Sequence, residues 1–101
     1  MDYTGKKVII RSYGAGVFFG TLKEKVSDKG GVEVTLTDCR RLWYWSGAAS
    51  LSQLATEGVK NPQECKFTVI VSEMTIMQVI EILPCTERAI NNIAGVEIWK
   101  I

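Results

Sequence analysis

Along the first half of the chain, apolar and polar positions follow the two-residue period of β-structure. Residues 6–13 are rich in β-branched side chains and are closed by Gly14-Ala15-Gly16, after which 17–23 resumes an apolar run. Two such runs across a glycine-bearing loop predict a hairpin. Ser27-Asp28-Lys29-Gly30-Gly31 is a second turn signal. Val32, Val34 and Leu36 then alternate with Glu33, Thr35 and Thr37, which places one face on a core and the other toward water. Asp38-Cys39 allows a turn into 40–45, so the pattern predicts a four-stranded antiparallel meander.

The period changes after residue 46. Ser50 is placed to cap a helix over 51–57, Gln53 stands three residues on as the partner of a capping box, and Gly58 suits the position after the helix. Beyond the Asn61-Pro62 turn, 66–71 and 74–83 are dominated by β-branched residues and read as strands. The second of these would also fit a helix on apolar spacing alone. Pro84 stops it, Thr86 caps a second short helix through Ile93, and 96–101 forms a final apolar edge. The expected fold class is α+β: one small domain over 1–101, mostly antiparallel sheet with two short helices.

Composition narrows the chemistry. The 101 residues carry 12 Lys+Arg against 11 Asp+Glu, a net +1 that cannot supply the counterion-releasing surface needed for long nucleic acids. Residues 1–50 hold eight basic and five acidic side chains and 51–101 hold four and six, so a local basic site belongs in the first half. There is no histidine, which removes Ser-His-Asp and Cys-His nucleophilic sets. Cys39, Cys65 and Cys85 are widely spaced, without a Cys-x-x-Cys pair, and point to neither a disulfide framework nor a metal site. Free thiols fit a reducing cytoplasm, and no run approaches the ~20 apolar residues of a membrane span. The expected location is cytoplasmic.

The most unusual stretch is Arg40-Arg41-Leu42-Trp43-Tyr44-Trp45. On a strand, alternation sends Arg41, Trp43 and Trp45 to one face and Arg40, Leu42 and Tyr44 to the other. Indoles stack on nucleobases and an arginine fork takes phosphate, so this face suits a nucleotide. The same tryptophans would equally fill a core or a subunit interface, with the arginines at its rim. Ser46 to Ser50 crowds small residues against a helix start, where free N–H groups can receive an anion or where Ser50 simply caps a turn. In Arg11-Ser12-Tyr13-Gly14-Ala15-Gly16, the glycines allow close approach to a ligand while Arg11 and Tyr13 alternate onto one face, or they serve only the turn. No following helix or third glycine supports a dinucleotide-binding loop. The candidate ligand-binding residues are therefore Arg11, Tyr13, Gly14, Ala15, Gly16, Arg40, Arg41, Trp43, Trp45 and Ser50.

Acidic residues are scattered singly and nominate no catalytic or metal-binding pair. Met74, Ile76 and Met77 read as core or interface material. No catalytic residue, metal or cofactor is expected, which favours a binding protein over an enzyme. A phosphodiesterase using clustered carboxylates is the less favoured alternative, and a structural or protein-interaction module docking through residues 40–45 is the other.

The runs 8–22, 40–54 and 58–67 resemble a family of small phage and prophage proteins long catalogued as a domain of unknown function. The similarity extends over nearly the whole chain, and the run from Arg40 to Leu54 is its most distinctive part. The resemblance implies an anti-defence sponge: a compact oligomer that binds the cyclic nucleotide second messengers of bacterial immunity and holds them uncleaved in the host cytoplasm. It also implies that residues near Arg11, Tyr13, Arg41, Trp43 and Trp45 line the pocket. A chain of this size presents little concave surface, so a homo-oligomer, dimer or tetramer, is expected, with the pocket built between subunits.

Overall fold

The computed structural model describes residues 2–101. The elements run β1 (Lys7–Ser12), β2 (Gly16–Asp28), β3 (Gly31–Tyr44), α1 (Leu51–Glu57), β4 (Lys66–Phe67), β5 (Val71–Ile76), β6 (Val79–Pro84) and α2 (Glu87–Ala94), with a 3₁₀ turn at Pro62–Glu64 before β4. The strands form one sheet in the order β4-β3-β2-β1-β6, β5 pairs with β3, and every strand pair is antiparallel. This is the α+β architecture that the hydrophobic pattern predicts.

Topology forces the sheet to curl. β5 lies against β3 and β6 against β1, so four strand spacings, about 19 Å, would separate them in a flat sheet. Only Met77 and Gln78 connect them, and Ile76 and Val79 can therefore stand no more than about 11 Å apart. The sheet rolls toward itself and buries two faces. Inside the roll pack Val8, Ile10, Phe18, Leu36, Ile76 and Val79. Outside it, Ile9, Phe19, Leu42 and Phe67 pack with Leu54 of α1 and Ile93 of α2.

Both helices are capped as the sequence predicts. The Ser50 hydroxyl accepts from the Gln53 N–H at 3.1 Å and that of Thr86 from the Ala89 N–H at 3.1 Å. The Gln53 side chain reaches back to the Ala49 N–H at 2.8 Å rather than to Ser50, one residue beyond the usual capping box.

The expected four-stranded meander is corrected. Asp38-Cys39 is not a turn: β3 runs through it from Gly31 to Tyr44. Thr21 pairs with Thr37 and Phe19 with Arg40, so β3 spends one more residue than β2 over this interval. Asp38 takes up the excess in a left-handed conformation, φ 49°. Close approach at this bulge fixes Gly20, where a Cβ would stand 3.1 Å from the Cα of Cys39. The predicted strands 66–71 and 74–83 are redrawn as β4, β5 and β6, and the predicted edge 96–101 makes only one isolated bridge, Phe67 with Ile98.

Candidate functional site

The bulge at Asp38 decides which way the two arginines point. Val34 and Leu36 enter the roll, and without the extra residue strict alternation would send Arg40 and Leu42 after them. Instead Cys39 enters the roll, while Arg40 and Leu42 turn to the helix side.

Arg40 is buried at 2% exposure. Its Nε donates to the Thr68 carbonyl at 3.1 Å and its Nη2 to that of Phe67 at 3.0 Å. Its Nη1 donates to the carbonyls of Ile93 at 3.2 Å and Val96 at 2.9 Å. Burial holds its pKa below the ordinary arginine value, but the C-terminal carbonyls of α2 are a favourable place for a cation. As a ligand contact Arg40 is corrected: it is buried, four of its five N–H donors are committed to the main chain, and it pins β3, β4 and α2 together.

Arg41 takes the opposite face. Its guanidinium lies 4.7 Å from the centroid of the Phe18 ring, and Nη1 donates to the Ala15 carbonyl at 3.2 Å. That bond uses one of five N–H donors. A threonine fixes the main chain beneath it. The Arg41 N–H donates to Thr68 Oγ1 and the Thr68 N–H donates to the Arg41 carbonyl, both at 3.0 Å.

Arg41 lies in an open groove of about 450 Å³. One wall is the hairpin turn Tyr13, Gly14 and Ala15; the other is Thr75, Met77 and Gln78; Phe18 and Ile76 belong to the core beneath. The turns are tied together, the Tyr13 N–H donating to the Gln78 carbonyl at 2.9 Å and Ser12 Oγ to the Met77 carbonyl at 2.6 Å. Tyr13 is 75% exposed beside this tie, free to stack on a flat ligand. Among the described residues lining the groove, Arg41 carries the single charge and there is no carboxylate or thiol. Such a surface can recognise an anion with an aromatic part.

Four candidates, Tyr13, Gly14, Ala15 and Arg41, thus meet in one groove. Gly16 pairs with Ser12 at the base of the hairpin. The expectation that Arg11 joins them is corrected: its Nε pairs with Glu81 Oε1 on β6 at 3.4 Å, and it does not line the groove. Trp43 is 63% exposed at a second irregularity, where β3 advances from Leu42 to Tyr44 while β4 steps one residue, and it too lies outside the groove. Trp45 lies past the end of β3 and packs on the helix-side core, so alternation does not carry it to the face of Arg41. Ser50 caps α1 and does not line the groove. The sequence reading missed Phe18, Thr75 and Gln78. The break between two apolar runs at Gln78 was the available signal.

A larger cavity of about 570 Å³ lies elsewhere, lined by Tyr3, Lys25, Ile82 and the carboxylates Asp2 and Glu81. Hydrogen bonds from Thr4 hold the Asp2 carboxyl below its ordinary value, which keeps it ionised and sets it against a phosphate. Among the described residues no group of three or more His, Cys, Asp or Glu is placed to hold a metal ion, and no helix is long and apolar enough to cross a membrane.

Comparison with curated proteins and with solved structures finds no match. A family model described as a domain of unknown function (DUF6948) matches residues 5–93, a span that contains the whole groove, and the chain belongs to that family.

Proposed function

We propose that the chain binds a cyclic nucleotide second messenger of bacterial immunity and holds it without cleaving it, acting as a phage-type anti-defence sponge in the host cytoplasm. A cyclic oligonucleotide is the preferred ligand, and a cyclic ADP-ribose isomer is the alternative. The observation that carries this reading is Arg41, set over Phe18 and anchored to Ala15 within a groove beside the exposed ring of Tyr13. A guanidinium held in place takes phosphate with little loss of freedom, and the phenol supplies a stacking surface for a base. The groove is open, so a second copy closing over it would bury the ligand more fully, in a dimer or tetramer.

A second reading rests on a different observation. Trp43, Val69, Ile70 and Val71 are exposed around the outer margin of β3, and they would serve an oligomer or partner interface whether or not a nucleotide binds.

The test is retention and recovery. Purified protein is incubated with cyclic oligonucleotides and cyclic ADP-ribose isomers, freed of unbound ligand, denatured by heat, and the released material identified by mass spectrometry. Intact messenger at close to one equivalent per site is expected. A linearised product in excess of the protein would move the reading to an enzyme, and no retention would leave the interface module.

A further inference from the structure

We infer that Gln78 is the base-reading residue of the groove and that the base it reads is adenine in preference to guanine; this rests on the nucleotide reading above. Gln78 forms the two-residue link between β5 and β6 together with Met77, and it lines the groove whose other wall is the hairpin that holds Arg41. Its backbone is left-handed, φ 55°. Glycine adopts that conformation without steric cost and a glutamine does not, so the side chain stands at a position where the backbone would be better served without one. The position is also fixed. The Gln78 carbonyl accepts from the Tyr13 N–H at 2.9 Å and the neighbouring Met77 carbonyl from Ser12 Oγ at 2.6 Å, so an exposed amide stands on a rigid turn tied to Tyr13.

A carboxamide offers one donor and one acceptor side by side. Adenine presents the matching pair on both of its edges: the N6 amino group with the N7 acceptor, and the same amino group with N1. Guanine presents two acceptors, O6 and N7, on the first edge and a donor–acceptor pair only on the second. With a phosphate on Arg41 and a base against Tyr13, Gln78 is the uncharged group of the facing wall able to make a paired contact. It therefore favours adenine when the base enters by its N7 edge, where guanine offers acceptors alone.

The test measures the affinities of wild type, Gln78→Gly and Gln78→Glu by calorimetry, with melting temperatures for each. The probes are cyclic di-AMP, cyclic tri-AMP and cyclic ADP-ribose as adenine ligands, and cyclic di-GMP as the guanine ligand. Wild type should bind at least one adenine ligand about tenfold tighter than cyclic di-GMP, the scale of one lost base contact. Gln78→Gly should weaken that adenine ligand by about tenfold while its melting temperature rises, because the left-handed turn is relieved. This opposite movement of stability and affinity is what a merely structural glutamine would not produce. Gln78→Glu, an acceptor only, should shift the ratio toward guanine, whose N1 and N2 are donors. Equal adenine and guanine affinities in wild type, or an unchanged ratio in both variants, would overturn the assignment of Gln78 while leaving nucleotide binding intact. Binding of none of the four probes by wild type would remove the nucleotide reading and this inference together.

Discussion

Thr68 clasps Arg41, its hydroxyl accepting the Arg41 N–H and its own N–H donating to the Arg41 carbonyl, each at 3.0 Å. The Thr68 carbonyl meanwhile accepts from Nε of Arg40 at 3.1 Å. One residue of the segment between β4 and β5 thereby sets both arginines, the buried one and the one in the groove.

Thr68→Val keeps the shape and removes the hydroxyl, leaving a half-buried N–H unpaired. It should lower stability by about 1–2 kcal/mol in urea denaturation and weaken messenger binding severalfold through a loosened Arg41. Thr68→Ser, which restores the acceptor, should recover most of both.

Arg40→Ala should behave unlike any change at its neighbour. It strips donors from four main-chain carbonyls at once, those of Phe67, Thr68, Ile93 and Val96. The expected loss is about 3–5 kcal/mol, a large part of the stability of a domain this size. Circular dichroism melting checks it, and a melting temperature within a few degrees of wild type would contradict the pinning role.

These two arginines show how far the sequence was legible. Alternation correctly separated Arg40 and Leu42 from Arg41, because β-structure has a period of two whatever surrounds it. It could not say which pair was buried. That depends on one extra residue at Asp38, and a non-glycine bulge carries no sequence signal comparable to Asn-Gly or Gly-Gly. The helix caps at Ser50 and Thr86 were legible because capping is local chemistry. The groove was half legible. Its hairpin wall lies within a single local motif, whereas Thr75 and Gln78 come to it only through the long-range closure of the rolled sheet.

Asn92 substitutes for a neighbouring strand. Its Oδ1 accepts from the Val59 N–H at 2.8 Å and its Nδ2 donates to the Val59 carbonyl at 2.9 Å, closing α2 onto the chain after α1. Gly58, at φ 80°, leaves the space this amide occupies. Asn92→Ala should cost about 2–3 kcal/mol in denaturant unfolding, since both main-chain groups of the buried Val59 lose their partner. Gly58→Ala should be comparably destabilising, through steric conflict with Asn92 and its positive φ.

The buried Cys39 and the half-buried Cys85 predict alkaline weakness. Burial pushes the Cys39 thiol up from an ordinary value near 9 to about 11 against the opposing charges of Arg41 and Lys7, and it pushes Cys85 to about 12. The folded state therefore keeps protons that the unfolded chain releases above pH 9. Stability is unaffected by these groups below that value and falls as pH rises toward 11, by about 2–3 kcal/mol for Cys39 at full titration. Denaturation at pH 8 and pH 10.5 should show the fall in wild type and a shallower one in Cys39→Ala, whose stability at pH 8 is lower because of the cavity left in the rolled core.

The most direct test of messenger binding in the groove is calorimetry on Arg41→Ala with the ligand that wild type retains. The side chain touches Phe18 and Ala15 at the surface of the groove, so its removal should leave the melting temperature within a few degrees of wild type. Affinity should fall by about 1.5–3 kcal/mol, the scale of a hydrogen bond to a charged group, and Arg41→Lys should recover only part of it because the planar fork is lost. Wild-type affinity in both variants, on correctly folded and assembled protein, would contradict the account and leave Arg41 a surface residue of the rolled sheet.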